Sequence, residues 1–246
     1  MFHSLFYEPI YNLLVVVLNV VPLHDIGTAI VIVTLIVKFF LLPLNLSALR
    51  TQYAMKRLEP EMNTIKELQK TKPQEASKMM VEMYRREKVN PFASLFTVIL
   101  QIPIFFALYF VFSKGLQADP LSLYSFVVFP ESLHTRAFGL FDVTEKGNII
   151  IALLTGLSSY ALARRQTVDM GTKKESHEQT FQDQFMKSMK IQLLYILPVI
   201  IGASAFALPS ALGLYWLVSN VIGYIQDVYM KRVTAHLHPD KHKQVK

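Results

Sequence analysis

Long uncharged apolar runs alternate with short charged segments along this chain. Residues 26–44 carry a single charge, Lys38, and residues 92–113, 148–163 and 191–226 carry none. A helix rises about 1.5 Å per residue and a bilayer core is about 30 Å thick, so about 20 apolar residues make one crossing. The first two runs fit one crossing each, and the third is slightly short. The last run would measure roughly 54 Å as one helix, and Pro209 sits at its middle. Proline cannot continue a helix but begins one readily, so that run divides in two. The pattern predicts five spans, at 26–44, 92–113, 148–164, 191–208 and 211–227.

The segments between are equally patterned. Residues 45–91 read as an amphipathic helical hairpin, one helix over 47–70 and one over 74–88, with Lys72 and Pro73 at the break. Met55, Met62, Met79, Met80 and Met83 stud it. Flexible thioethers suit an adaptable contact surface, and they equally suit packing the two helices together. Residues 114–147 mix short apolar pieces with Pro120 and Pro130 and read as a loop lying on the membrane. In residues 1–25 the apolar run 13–21 is flanked by Asn12 and Pro22 and interrupted by Asn19. It is too short to span, has no basic stretch before it, and reads as a helix in the outer interface. A sixth span is the other reading of it.

Charge orients the whole. Residues 45–91 hold ten Lys/Arg and six acids, 113–147 three and four, 164–190 six and four, and 227–246 five and two. Basic loops face the cytoplasm. The hairpin 45–91, the loop 165–190 and the basic tail 228–246 are therefore expected inside, and the N-terminus outside. Over 246 residues the net charge is +7, hydrophobic residues make up 52% and charged ones 17%, against about a quarter charged in soluble domains. That excludes an ordinary cytosolic globule and a disordered chain.

The chemistry open to such a chain is narrow. It has no cysteine, hence no disulfide, thiolate metal site or thiol nucleophile. Its seven histidines all lie outside the expected spans, and no Asp or Glu lies well inside one. HExxH, a nucleophile elbow and a phosphate-binding GxxxxGK[ST] loop are absent from the sequence. Intramembrane hydrolysis and carboxylate-based ion-coupled transport are disfavoured. No cofactor or metal is expected, nor an enzyme.

One charge remains at depth. An intramembrane lysine costs about 2.5–3.5 kcal/mol on insertion scales, and Lys38 either reaches the interface along its stem or faces a wet interior. Several polar positions share its prospects: Thr34 one turn earlier, Gln101 beside Pro103, the stripe Thr155, Ser158 and Ser159, and the stripe Trp216, Ser219, Asn220 and Gly223. Each stripe alone suits interhelical hydrogen bonding. Together they would line a hydrophilic, cationic groove. The expected class is thus an all-α polytopic membrane protein, five transmembrane helices around that groove, with an outer interfacial helix and a cytoplasmic helical hairpin.

Two blocks carry a family likeness. Residues 84–109 (YRREKVNPFASLFTVILQIPIFFALY) and 209–226 (PSALGLYWLVSNVIGYIQ) resemble the paired motifs of the YidC/Oxa/Alb membrane protein insertases, in the same order. The likeness extends from about residue 5 to 231, and resembles the short form without a large periplasmic domain. It implies a monomeric insertase in a bacterial plasma membrane, which lodges hydrophilic ends of nascent proteins in the groove and releases their apolar parts into lipid without ATP. In the family an arginine in the first span supplies the groove charge, and the matching position here is Lys38. Gln101 and Trp216 match groove positions directly. Nascent membrane proteins and lipids are the implied partners. The hairpin (Met79, Met80, Met83, Arg85, Arg86) and basic tail are expected to meet nascent chain, ribosome or Sec translocon. A small-solute channel or transporter using the same polar cavity is the alternative, as is a purely structural assembly factor.

Overall fold

A computed structural model describes residues 1–87, 90, 93–113, 119–167, 188 and 190–237. Most of the expected loop 165–190 and the end of the tail lie outside them. The described residues are overwhelmingly helical. In chain order the helices are α1 (Glu8–Val20), α2 (Ile26–Phe40), α3 (Leu42–Arg57), α4 (Glu59–Gln69), α5 (Pro73–Arg86), α6 (Ala93–Ser113), α7 (Ile149–Thr167), α8 (Leu197–Ala207) and α9 (Ser210–Leu237). Short π-helical turns, His3–Tyr7 and Gln192–Ile196, lead into α1 and α8. A two-residue antiparallel ribbon, β1 (Arg136–Ala137) with β2 (Phe141–Asp142), interrupts the loop before α7.

Helix α9 is the hub. It packs against α2, α3, α6, α7 and α8, while α1 lies against α2 and α6. One apolar cluster runs through the assembly, from Leu14, Val15 and Leu18 of α1 through Ile26, Ala29 and Ile30 of α2 and Ala107 and Phe112 of α6 to Ala211, Leu212 and Tyr215 of α9. Helix α1 extends well beyond the apolar run 13–21, and its inner face belongs to this cluster. The reason is Asn12, which the sequence presents as a polar flank. Its buried amide donates to the Ser122 carbonyl at 2.7 Å and its oxygen accepts the Tyr124 N–H at 2.8 Å, so the polar residue is satisfied by the loop it docks.

The same loop ties down three helix ends. Asp25 caps α2, accepting the Thr28 N–H at 2.6 Å, and its other oxygen accepts the Phe138 N–H at 2.9 Å. The Ser210 and Ala211 N–H groups at the start of α9 donate to Glu145 and Val143 carbonyls, and the Gly147 N–H donates to Phe206 at the end of α8. These are the orphan groups that every helix end leaves. Within the loop, burial pushes the Asp142 carboxyl up, but hydrogen bonds from Thr144 and Thr135 outweigh it and hold it below the ordinary range.

Proline sets the breaks. Helix α8 stops at Ala207, Pro209 follows, and α9 begins at Ser210. Two breaks differ from the sequence reading. The run 26–44 does not continue straight: α2 ends at Phe40, and α3 leaves at 62° past Leu41, because Pro43 fits only a first helical turn. The expected helix 47–70 divides at Leu58, ahead of Pro60 in the first turn of α4, for the same reason. Among the described residues no single helix is long and apolar enough to cross a membrane alone. The bent pair α2–α3 passes together, and Ile99–Ser113 and Gln192–Ala207 are shorter apolar helices.

Candidate functional site

The polar positions picked from the sequence converge on α9, in two sets. The first joins α9 to α7. Thr155 Oγ1 is fully buried and donates to the Gly213 carbonyl at 3.0 Å. Asn220 Nδ2 donates to the hydroxyls of Ser159 at 2.8 Å and Ser158 at 3.1 Å, and Ser158 itself donates to the Thr155 carbonyl at 2.9 Å. Thr155, Ser158 and Asn220 are therefore engaged with one another and with backbone, in the manner of polar contacts between membrane helices. Gly213 permits the approach: a Cβ there would stand 2.4 Å from Ile151 Cγ2.

The second set joins α9 to α6. Gln101 Nε2 donates to the Tyr215 hydroxyl. One turn on, the Phe105 ring stacks on the Trp216 indole, centroids 5.1 Å apart and planes at 10°. Gln101 and Trp216 are both half-buried. Helix α6 carries Pro103 between Gln101 and Phe105; proline offers no N–H to the preceding turn. Ser219, one turn past Tyr215, has a buried hydroxyl beside that of Tyr215 and no well-formed hydrogen bond among the described residues. A buried hydroxyl without one is costly unless water or a ligand completes it.

Helix α2 brings the charge. Lys38 is half-buried in its last turn, and no hydrogen bond or ion pair to it occurs among the described residues. Thr34, one turn earlier, is buried and donates back to the Ile30 carbonyl at 2.6 Å. The side chain of Thr34 is thus spent within its own helix. Phe39 and Phe40, beside Lys38, are exposed at 71% and 74%, which puts bare aromatic surface next to an unpaired ammonium.

The hairpin residues divide. Met83 is buried with Leu58, Ile65 and Ala76 in the small core between α4 and α5, and Met80 packs partly against it. That corrects Met83 as a contact residue: with 1% of its surface exposed it holds the hairpin together. Arg86 pairs with Glu61 at 2.6 Å. Met79 and Arg85 stay exposed. Tyr215 and Phe105 are not marked out as site residues by the sequence. The signal for both was the spacing of aromatic residues around Gln101 and Trp216, which resembles ordinary lipid-facing composition until the helices are docked.

Comparison with known proteins gives these positions a setting. The family described as 60Kd inner membrane protein matches residues 18–237. A protein named Membrane protein insertase YidC from Pseudoalteromonas atlantica is 31% identical over 201 residues, covering 81% of this chain and 32% of that protein. Proteins of the same name from Oceanobacillus iheyensis and Fusobacterium nucleatum are each 29% identical, over 210 and 212 residues. Those alignments cover 84% of this chain and 74% of the first, and 86% of this chain and 88% of the second. The chain spans about a third of the length of the Pseudoalteromonas relative and most of the other two.

Proposed function

The chain belongs to the 60Kd inner membrane protein family, a family of membrane insertases, and from that premise we propose that it inserts nascent membrane proteins into a bacterial plasma membrane. The apolar segments form five spans in this reading, with the hairpin α4–α5, the loop 165–190 and the tail 228–246 in the cytoplasm and α1 at the outer interface. Lys38, Gln101, Trp216 and Ser219 face a hydrophilic groove, and Thr155, Ser158 and Asn220 fix the two helices behind it. Thr34 supports the Lys38 turn from within α2.

The single observation that carries this reading is the ammonium of Lys38. It sits in an otherwise uncharged apolar helix with no carboxylate to neutralise it among the described residues. Such a charge is expensive against hydrocarbon and cheap beside water. A wet recess halfway into the bilayer shortens the dehydrated path of a hydrophilic segment. A cation in it attracts acidic residues of that segment, weakly enough to let go. The substrate's apolar span then moves sideways into lipid, driven by its own burial and by any membrane potential on its negative charges. The chain needs no nucleotide for this. Exposed Met79 and Arg85 on α5 offer a soft, cationic first contact for the arriving polypeptide.

The test is insertion of a single-span protein with an acidic leading segment into proteoliposomes. Lys38→Arg retains insertion. Lys38→Ala reduces it several-fold, and Lys38→Glu more, by repulsion. Equal insertion by all four proteins removes Lys38 from the mechanism.

A further inference from the structure

The last turns of α3 and α7 meet on one buried carboxylate partway along α9. Asp227 of α9 is 1% exposed. Its Oδ2 accepts from Arg165 Nε, at the end of α7, at 2.7 Å, and its Oδ1 accepts from the Tyr53 hydroxyl of α3 at 2.9 Å. The Arg165 guanidinium also lies over the Tyr224 ring, 4.8 Å from its centroid and one turn before Asp227. Beside them Lys56 Nζ donates to the Gln166 carbonyl at 2.9 Å. One contact from α3 and two from α7 thus centre on one turn of α9, and Lys56 joins α3 directly to α7 beside them.

Helix α3 is the root from which α4 and α5 project, and it is jointed at both ends. It leaves α2 across the 62° bend and passes to α4 through the break at Leu58. Its fully buried side chains are Leu49 and Thr51; the rest of its 16 residues are at most partly covered where it lies along α6 and α9. Nonpolar contact is nondirectional; a buried carboxylate shared by an arginine and a tyrosine is not. Breaking such a pair is costly because one partner stays buried and charged. Buried polar groups are best attested as devices that fix register and orientation rather than as sources of stability.

We propose that Asp227 is a positioning residue for polypeptide reception: through Arg165 and Tyr53 it fixes the direction of α3 and so holds the α4–α5 hairpin where an arriving chain is handed to the groove. The inference rests on the insertase reading, and it adds a residue that touches no substrate. It concerns neither Lys38 nor the α6–α9 contacts, which lie in other turns.

The experiment uses the full chain in proteoliposomes, with Asp227→Asn, Arg165→Met and the double variant. Asparagine keeps an acceptor for Tyr53 and removes the charge. The absence of cysteine allows spin labels at 79 and 157 and a photo-crosslinker at 79. In the parent protein the 79–157 distance distribution is single and narrow, and the nascent chain crosslinks at 79. Asp227→Asn broadens the distribution and lowers crosslinking at 79 at least five-fold, and the double variant is no worse than the worse single one. Tyr53→Cys with Asp227→Cys, joined by a short bifunctional maleimide in protein whose labels at 79 and 157 are carried on encoded unnatural amino acids, restores both readouts without restoring the charge.

An unchanged distance distribution in Asp227→Asn overturns the proposal, because the hairpin then needs no such clamp. So does a tethered variant that folds but stays defective, and so does loss of folded protein in both Asp227→Asn and the tethered pair, which makes Asp227 a stability residue only. Failure of the parent protein itself to insert or crosslink is a different result. It removes the insertase reading and leaves the distance measurement to judge the clamp.

Discussion

The helical bundle and the hairpin α4–α5 are both held by apolar side chains, but on very different scales. In the bundle one cluster of 24 buried hydrophobic residues joins α1, α2, α6, α9 and the loop before α7. In the hairpin, Leu58, Ile65, Ala76 and Met83 are the buried side chains among the described residues, with four neighbours packed partly against them. Ordering a residue costs about 1–2 kcal/mol of backbone entropy, so four side chains cannot hold two helices as firmly as the bundle holds its own. The exposed pair Arg86–Glu61 adds little, since water screens exposed pairs; Arg57–Glu87 is half-buried and ties the end of α3 to the end of α5 rather than α4 to α5. On the proposed reading the difference divides the tasks: a firm frame holds the polar groups of the groove, and a weakly packed hairpin, aimed by α3, opens locally at its own surface, as elements of low local stability do.

The largest expected effect attacks the smaller core. Ile65→Ala and Met83→Ala each remove a large buried side chain, a change that costs about 2–5 kcal/mol in well-packed sites. Hydrogen exchange should show protection lost across Pro73–Arg86 and unchanged in α9. Loss of protection in both would erase the distinction between the two regions.

Gly213→Val is the matching attack on the frame. Its Cβ would collide with Ile151 Cγ2 at 2.4 Å and crowd Ala205 Cβ at 3.4 Å. Overpacking of this kind costs about 1–3 kcal/mol, and the Thr155–Gly213 hydrogen bond lengthens with it. Thermal unfolding in detergent should fall while hairpin exchange stays as it was.

Asn12→Leu probes the frame's polar seam. It leaves the Tyr124 N–H and Ser122 carbonyl without their partner, worth about 1–3 kcal/mol, and should open the loop at 119–128 to proteolysis before the bundle unfolds. Simultaneous cleavage throughout would show that loop and bundle are one unit.

These targets differ in how far they can be read from sequence. The uncharged runs and the breaks at Pro209 and Pro73 are local properties, so hydropathy and proline chemistry reveal them directly. The bend at Leu41 was hidden because hydropathy carries 26–44 through as one stretch; Pro43, in the first turn of α3, is its only trace. Asn12 was unreadable for a different reason: its partners, Ser122 and Tyr124, lie more than 100 positions away. Lys38 and Gln101 stood out because a charge or amide is rare in such runs, and Trp216 because it lies in the motif block 209–226. Asp227, Arg165 and Tyr53 did not, since charged and aromatic residues are common at the edges of apolar runs, and only docking of α3 and α7 against α9 makes them one cluster.

The smallest effect belongs to Arg86→Ala. Its guanidinium is exposed, and its pairing with Glu61 should leave thermal unfolding and hairpin exchange unchanged. A marked loss would mean that surface charge, rather than the four-residue core, holds the hairpin.

The central claim is a groove that polypeptide enters at the level of Lys38. Photo-crosslinkers placed one at a time at 38, 101 and 216 test it against a stalled nascent membrane protein and a stalled soluble control. The account predicts adducts to the membrane protein's hydrophilic segment from 38 and 216 and none to the control. Adducts to lipid alone from 38, with nascent chain captured only from the hairpin, would contradict it.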